Sequence, residues 1–109
     1  MLKKQNRLTV VTKRKDDQFF SSPLFSVRIS DNNDKQVKFA FIVAKAIDKR
    51  AVIRNKLKRG LRNAAEELLG RISQGKNIVV VAKINILTSS SKSLSKNLEE
   101  ILNKAQILK

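Results

Sequence analysis

The sequence predicts an α/β domain on three observations. Apolar and polar residues alternate through residues 25–29 and again through 37–43, the period of a pleated strand. From residue 50 to 72 the apolar positions switch to spacings of three and four, the repeat of one helix face. A β-branched run, NIVVVAK at 77–83, then returns the chain to strand, and strand, helix, strand in succession implies a parallel pair.

Each element can be justified in chain order. Residues 1–17 are mostly charged and polar with one short β-branched run at 9–12, so residues 1–18 read as a loosely held basic arm that adds a brief edge strand where it pairs. FFSSPLFSVRI at 19–29 holds the single proline. After Pro23, the residues Phe25, Val27 and Ile29 fall on one side and Ser26 and Arg28 on the other, a half-buried strand. SDNNDK at 30–35 gathers residues whose side chains bond nearby backbone, and reads as a hairpin loop. Beyond it Val37, Phe39, Phe41 and Val43 alternate with Lys38, Ala40, Ile42 and Ala44, apolar on one face and nearly so on the other by the far end. That pattern predicts a central strand.

The long helix carries Ile53, Leu57, Leu61, Ala64, Leu68 and Ile72 on one face and is expected to end near Gly70 or Gly75. A Ser-rich loop at 88–93 leads to a last helix whose Leu94, Leu98, Ile101 and Ala105 share a face. Ser91 or Ser93 is available as its cap.

Composition narrows the function. At 109 residues and 41% hydrophobic, the chain suits one domain with one core. The 24 Lys and Arg against 9 Asp and Glu give a formal charge of +15, whose self-repulsion destabilises a compact chain without an anionic partner. Nucleic acid is the first candidate. Cysteine and histidine are both absent, which removes disulfide frameworks, thiolate zinc sites, Cys nucleophiles and His-based triads. Clustered carboxylates for a protein-only nuclease are also missing: the acids are scattered, with Asp16-Asp17, Glu66-Glu67 and Glu99-Glu100 the adjacent pairs. No apolar run approaches the roughly 18 residues of a membrane span, and the start lacks the apolar segment of a secretory signal. With no Trp for an interfacial helix either, we expect a soluble cytoplasmic protein with no membrane partner.

On a helical wheel with Ile53 at zero, Arg54, Lys58 and Arg62 fall at roughly 100, 140 and 180°, Asn55 near 200° and Arg59 near 240°. They form one cationic face. Guanidinium forks bind phosphate oxygens in pairs, lysine adds a point charge, and a rigid helix fixes their spacing. A charge run is ordinarily a solvated surface laced with i,i+4 ion pairs, but residues 49–63 contain no acid, so that explanation fails here.

The stretch DKRAVIRNKLKRGLRNAAEELL at 48–69 closely resembles the signature helix of the bacterial ribonuclease P protein family. The family pattern is an Arg-Asn-Arg run followed by Lys-Arg and a further Arg. The matching residues are Arg54, Asn55, Lys56, Lys58, Arg59 and Arg62, with Lys56 keeping the charge but losing the fork of an arginine. Further pieces resemble the family in the right order: NRL at 6–8, SSPLFSVRI at 21–29, FAFIVAKA at 39–46, NIVVVAK and the C-terminal helix. The family's helix between the NRL element and the first strand has too little room here, so KRKDDQFF at 13–20 is expected to form only a turn or stub. Gly60 costs roughly 1 kcal/mol relative to Ala inside a helix. Close packing or an approaching RNA backbone would require its space.

The resemblance implies a two-layer α/β (α+β) sandwich, ribosomal-protein-S5-domain-2-like, with a small mixed sheet, the long basic helix in a left-handed crossover between parallel strands, and a C-terminal helix. It implies an RNA-binding, non-catalytic subunit of an endoribonuclease that removes the 5′ leader of precursor tRNA. The partners would be the catalytic ribonuclease P RNA, docked on the signature helix, and the leader, lying in a cleft of the sheet. By position Arg28 and Lys45 match sheet residues of that cleft, though Arg28 stands where the family often has an aromatic. Phe19 and Phe20 are candidates for stacking on a leader base, worth about 1–3 kcal/mol, whereas Phe25, Phe39 and Phe41 are assigned to the core. No cofactor is expected on the protein; Mg²⁺ is expected for the RNA-catalysed step, with the protein a monomer in the complex. The other reading of a basic α/β domain is a structural ribosomal protein that binds folded rRNA.

Overall fold

A computed structural model of the chain describes residues 17–31 and 36–108. Residues 1–16 of the expected arm, with its run at 9–12, and residues 32–35 of the expected loop lie outside these residues. In chain order the elements are strands β1 (Gln18–Ser21), β2 (Phe25–Asp31) and β3 (Lys38–Ile42), helix α1 (Ala51–Leu68), strand β4 (Lys76–Ala82) and helix α2 (Ser91–Lys104). Short 3₁₀ turns at Leu69–Arg71 and Ile84–Thr88 follow α1 and β4. Among the described residues no helix is long and apolar enough to cross a membrane.

The strands form one mixed sheet in the order β1-β2-β4-β3, with β3 and β4 parallel and the other pairs antiparallel. Because side chains alternate across a strand, the register sorts them into two faces. One face carries Phe25, Val27 and Ile29 of β2, Ile78, Val80 and Ala82 of β4, and Phe39 of β3. These pack with Leu61, Ala64, Ala65 and Leu68 of α1 and Leu94, Leu98, Ile101 and Leu102 of α2. Each such side chain contributes roughly 1.5–3 kcal/mol on full burial, so this layer holds the fold.

Three sequence expectations need correction. First, residues 30–35 do not close a hairpin, because β4 lies between β2 and β3. Second, β3 is therefore an edge and β4 is interior. The side chains explain the exchange: β4 buries Ile78, Val79, Val80 and Ala82 and leaves Val81 exposed at 38%, whereas of the five residues of β3 only Phe39 is buried. A run apolar on both faces gains most from the interior position. Third, Gln18–Ser21 is a strand rather than a turn or stub, paired Phe19 to Arg28 and Phe20 to Val27. Ser22 organises the link around Pro23. Its backbone N–H donates to the Phe25 carbonyl at 2.8 Å, and its Oγ accepts from Leu24 and Phe25 N–H, each at 3.3 Å.

The helices match their expected periods, with shifted details. Helix α1 stops at Leu68, before Gly70, and Gly75, with φ 76°, makes the left-handed turn into β4 that glycine alone adopts without strain. The apolar stripe of α1 is buried only from Leu61 onward: Ile53 and Leu57 are half-buried and Val52 is 77% exposed. A Cβ on Gly60 would lie 3.1 Å from Leu94 Cδ1, so close approach of α1 to α2 is what uses this glycine's space. Helix α2 is capped by Ser90, not Ser91 or Ser93, its Oγ accepting the Ser93 N–H at 3.2 Å. Phe25 and Phe39 are core as expected, and Phe41 packs half-buried against the core, stacked on Phe39 at 5.6 Å between centroids.

Candidate nucleic-acid interface

Two surfaces gather the predicted residues. The first is α1, where Arg54, Lys58 and Arg62 recur every four residues and so form one row along the helix. All three are half-buried. A long cationic side chain in such a position can cover apolar surface with its aliphatic stem. Asn55 and Arg59 lie beyond this row and are exposed. Lys56, also exposed, turns to the other side, where it lines a groove of about 240 Å³ with Leu57, Leu87 and Leu94. The structure thus groups five of the six signature positions on one flank and sets Lys56 apart.

Among the described residues no acid forms an ion pair with this flank. The ion pairs among the described residues are Arg28 with Asp17, Arg50 with Asp48, Arg71 with Glu99 and Lys76 with Asp31. None includes Arg54, Lys58, Arg59 or Arg62. Arg54 Nε is buried without a hydrogen-bond partner among the described residues. A donor left so costs about 1–3 kcal/mol, and an electronegative ligand that draws on this guanidinium recovers part of it.

The second surface is the sheet face turned away from the helices, formed by Phe19, Arg28, Val79, Val81 and Ile42. They enclose a depression of about 300 Å³. Phe19 is 61% exposed within it. Phe20, the other candidate for stacking, pairs with Val27 and packs against the core, although it also lines the depression. Phe19 is the aromatic that faces outward, and the register of a four-residue strand decides between them.

Arg28 reaches this face, but its Nε lies 3.3 Å from the Asp17 carboxylate, whose side chain is fully buried. Its charge is already largely answered. Lys45 is exposed in the turn after β3, at the sheet end where β4 also finishes. Sequence reasoning missed Lys83 at that same end. Its Nζ donates to the Ser22 carbonyl at 2.8 Å and to Ser21 Oγ, tying β1 to the end of β4. The only advance signal was its position directly after the NIVVVA strand.

The family model described as Ribonuclease P matches residues 1–106. The chain is 31% identical over 113 residues to the ribonuclease P protein component of a Pseudanabaena species, covering 99% of this chain and 97% of that one. To the ribonuclease P protein component of Syntrophomonas wolfei it is 40% identical over 75 residues, covering 69% of this chain and 59% of that one. Its fold is similar to that of the RNase P protein from Staphylococcus aureus, with a TM-score of 0.77 at 24% identity, covering 87% and 86% of the two chains. The corresponding protein from Thermotoga maritima gives a TM-score of 0.75 at 22% identity, covering 83% and 84%.

Proposed function

The chain belongs to the ribonuclease P protein family, and on that premise we propose that it docks on the catalytic RNA through α1 and passes the 5′ leader of precursor tRNA across its open sheet face. It is a protein component of the tRNA-processing endoribonuclease. The observation that carries the docking reading is the flank of Arg54, Lys58, Arg59 and Arg62, which no acid neutralises among the described residues. Phosphates supply the missing counter-charge, and the rigid helix sets their register. The structural ribosomal-protein reading loses its support once the family is known.

The leader reading rests on Phe19 and the apolar floor of Val79, Val81 and Ile42, a platform on which a base stacks regardless of sequence. Lys45 supplies charge for its phosphates, and Arg28 lines the path beside it. In this reading the protein acts as a monomer in the cytoplasm. Magnesium, the expected cofactor, is assigned to the RNA, where it would supply the cleavage chemistry.

Reconstitution tests the proposal. Added to a bacterial-type ribonuclease P RNA and a 5′-extended tRNA at low magnesium, the protein is expected to raise cleavage above that of RNA alone. No gain would defeat it. Alanine at both Arg28 and Lys45 is expected to weaken precursor-tRNA binding by the holoenzyme roughly tenfold, about 1.4 kcal/mol, and to leave mature tRNA binding almost unchanged. Equal losses for both ligands would place these residues outside the leader path.

A further inference from the structure

Asp48 lies two residues ahead of the α1 cap residue, and three hydrogen bonds tie it to Arg50. The Arg50 backbone N–H donates to Oδ1 at 2.9 Å, Nε donates to Oδ1 at 3.1 Å, and Nη2 donates to Oδ2 at 2.9 Å. The backbone bond closes a turn that fixes where the helix starts. The two side-chain bonds form a bidentate pair along one edge of the guanidinium.

A guanidinium carries five N–H donors in one plane. Asp48 takes those of the Nε and Nη2 edge, which leaves the outer edge, both Nη1 hydrogens and the second on Nη2, for another forked acceptor. Exposure follows the same division: the Arg50 side chain is 73% exposed and that of Asp48 only 12%. The bond from the Arg50 side chain, helped by the one from its backbone and by the charges of Arg50 and Arg54, holds the Asp48 carboxyl down at about 2. The clamp therefore stays ionised in any buffer near neutral pH. Arg50 also extends the row on α1, since Arg50, Arg54, Lys58 and Arg62 recur every four residues, and the Arg54 N–H donates to the Arg50 carbonyl at 3.2 Å.

We propose that Arg50 is an additional phosphate contact for the RNA subunit, at the leading end of the α1 row, and that Asp48 is the positioning residue that presents it. This rests on the docking reading above. A free arginine loses rotamer freedom when it binds, and one already held by a carboxylate has lost it in advance. The acid thereby assists binding to an anion, the opposite of what its charge alone would do.

That reversal of sign makes the test sharp. Affinity of the full-length protein for ribonuclease P RNA is measured over a range of salt for the wild type, Asp48→Ala, Asp48→Asn, Arg50→Ala, the double Asp48→Ala/Arg50→Ala, and Arg59→Ala. Simple attraction predicts that removing an acid strengthens binding. The clamp predicts that Asp48→Ala weakens it by roughly three- to tenfold, as Arg50→Ala does. Asp48→Asn retains an oxygen for the backbone turn but not the ion pair, and is expected to weaken binding while remaining as folded as the wild type by circular dichroism. Both Asp48 variants keep the Arg50 cation, so the slope of log affinity against log salt stays at the wild-type value, whereas Arg50→Ala flattens it by something under one unit. In the Arg50→Ala background, removing Asp48 no longer weakens binding. Unchanged or stronger binding in Asp48→Asn overturns the inference. A loss at Arg59 with none at Arg50 overturns it while sparing the docking reading, and no loss at Arg59 overturns both.

Discussion

Alanine at Arg54, Lys58, Arg59 and Arg62 together is expected to weaken binding to ribonuclease P RNA by about three orders of magnitude while the protein stays folded. The reasoning begins from the single contact. A hydrogen bond to a charged partner is worth about 1.5–3 kcal/mol when buried, and about 1 kcal/mol is a fair value for a half-exposed one. Four such contacts sum to about 4 kcal/mol, roughly a thousandfold. Each cation removed also flattens the plot of log affinity against log salt by something under one unit, because fewer condensed counterions are displaced. Arg54 should give the largest single loss, and Arg54→Lys should lose affinity too, since lysine cannot replace a fork. Lys104, at the far end of α2, is the control. If alanine there cost as much as at Arg54 or Arg59, binding would be diffuse attraction to a cationic surface, and docking through α1 would have to be given up.

That this face was legible before any coordinates were known follows from its being local. A wheel needs only the 100° step of a helix, and no acid falls between residues 49 and 63 to confuse the pattern. The two helices and strands β2 and β3 were readable for the same reason, since each is a period written over five or more residues, and β4 as an unbroken β-branched run. What could not be read was pairing. Periodicity says that residues 25–29 and 37–43 are strands, but not that the run at 77–83 will come between them. The cue was present in weaker form: residues 78–82, IVVVA, are apolar without a break, while KFAFI begins with Lys38. The choice between Phe19 and Phe20 was invisible because one residue of register exchanges them. The Asp48 clamp is a local contact, yet nothing in a charge pattern distinguishes an acid that neutralises a cation from one that aims it.

Leu98→Ala is expected to remove about 2–5 kcal/mol of stability, the range for a buried leucine whose cavity only partly collapses. Leu98 is fully buried on α2 and belongs to the same cluster as Leu61 of α1 and Phe25 of β2. Small domains have only about 5–15 kcal/mol in total, and a formal charge of +15 places this one toward the lower end. The variant should therefore be partly unfolded near 37 °C at low salt. Phosphate at constant ionic strength should raise the melting temperature of both wild type and variant, since an anion bound only by the folded state shifts the equilibrium toward it. Urea unfolding measures the first effect and thermal melts the second. A loss below about 1 kcal/mol would mean that α2 does not seal the core, and a melting temperature indifferent to phosphate would count against a preformed anion surface.

The interior position of β4 also sets when the chain can fold. Strands β2 and β3 have no ladder with each other; both pair with a segment that is synthesised only after α1 is complete. Until residues 76–82 have left the ribosome, the apolar faces of Phe25, Val27, Ile29 and Phe39 lack the strand that joins them into one layer. Such non-local pairing is slow, because a long loop must be ordered before any contact rewards it. Commitment to the native state therefore waits for β4, the last strand of the sheet to be made and the one that joins the other strands into a single layer.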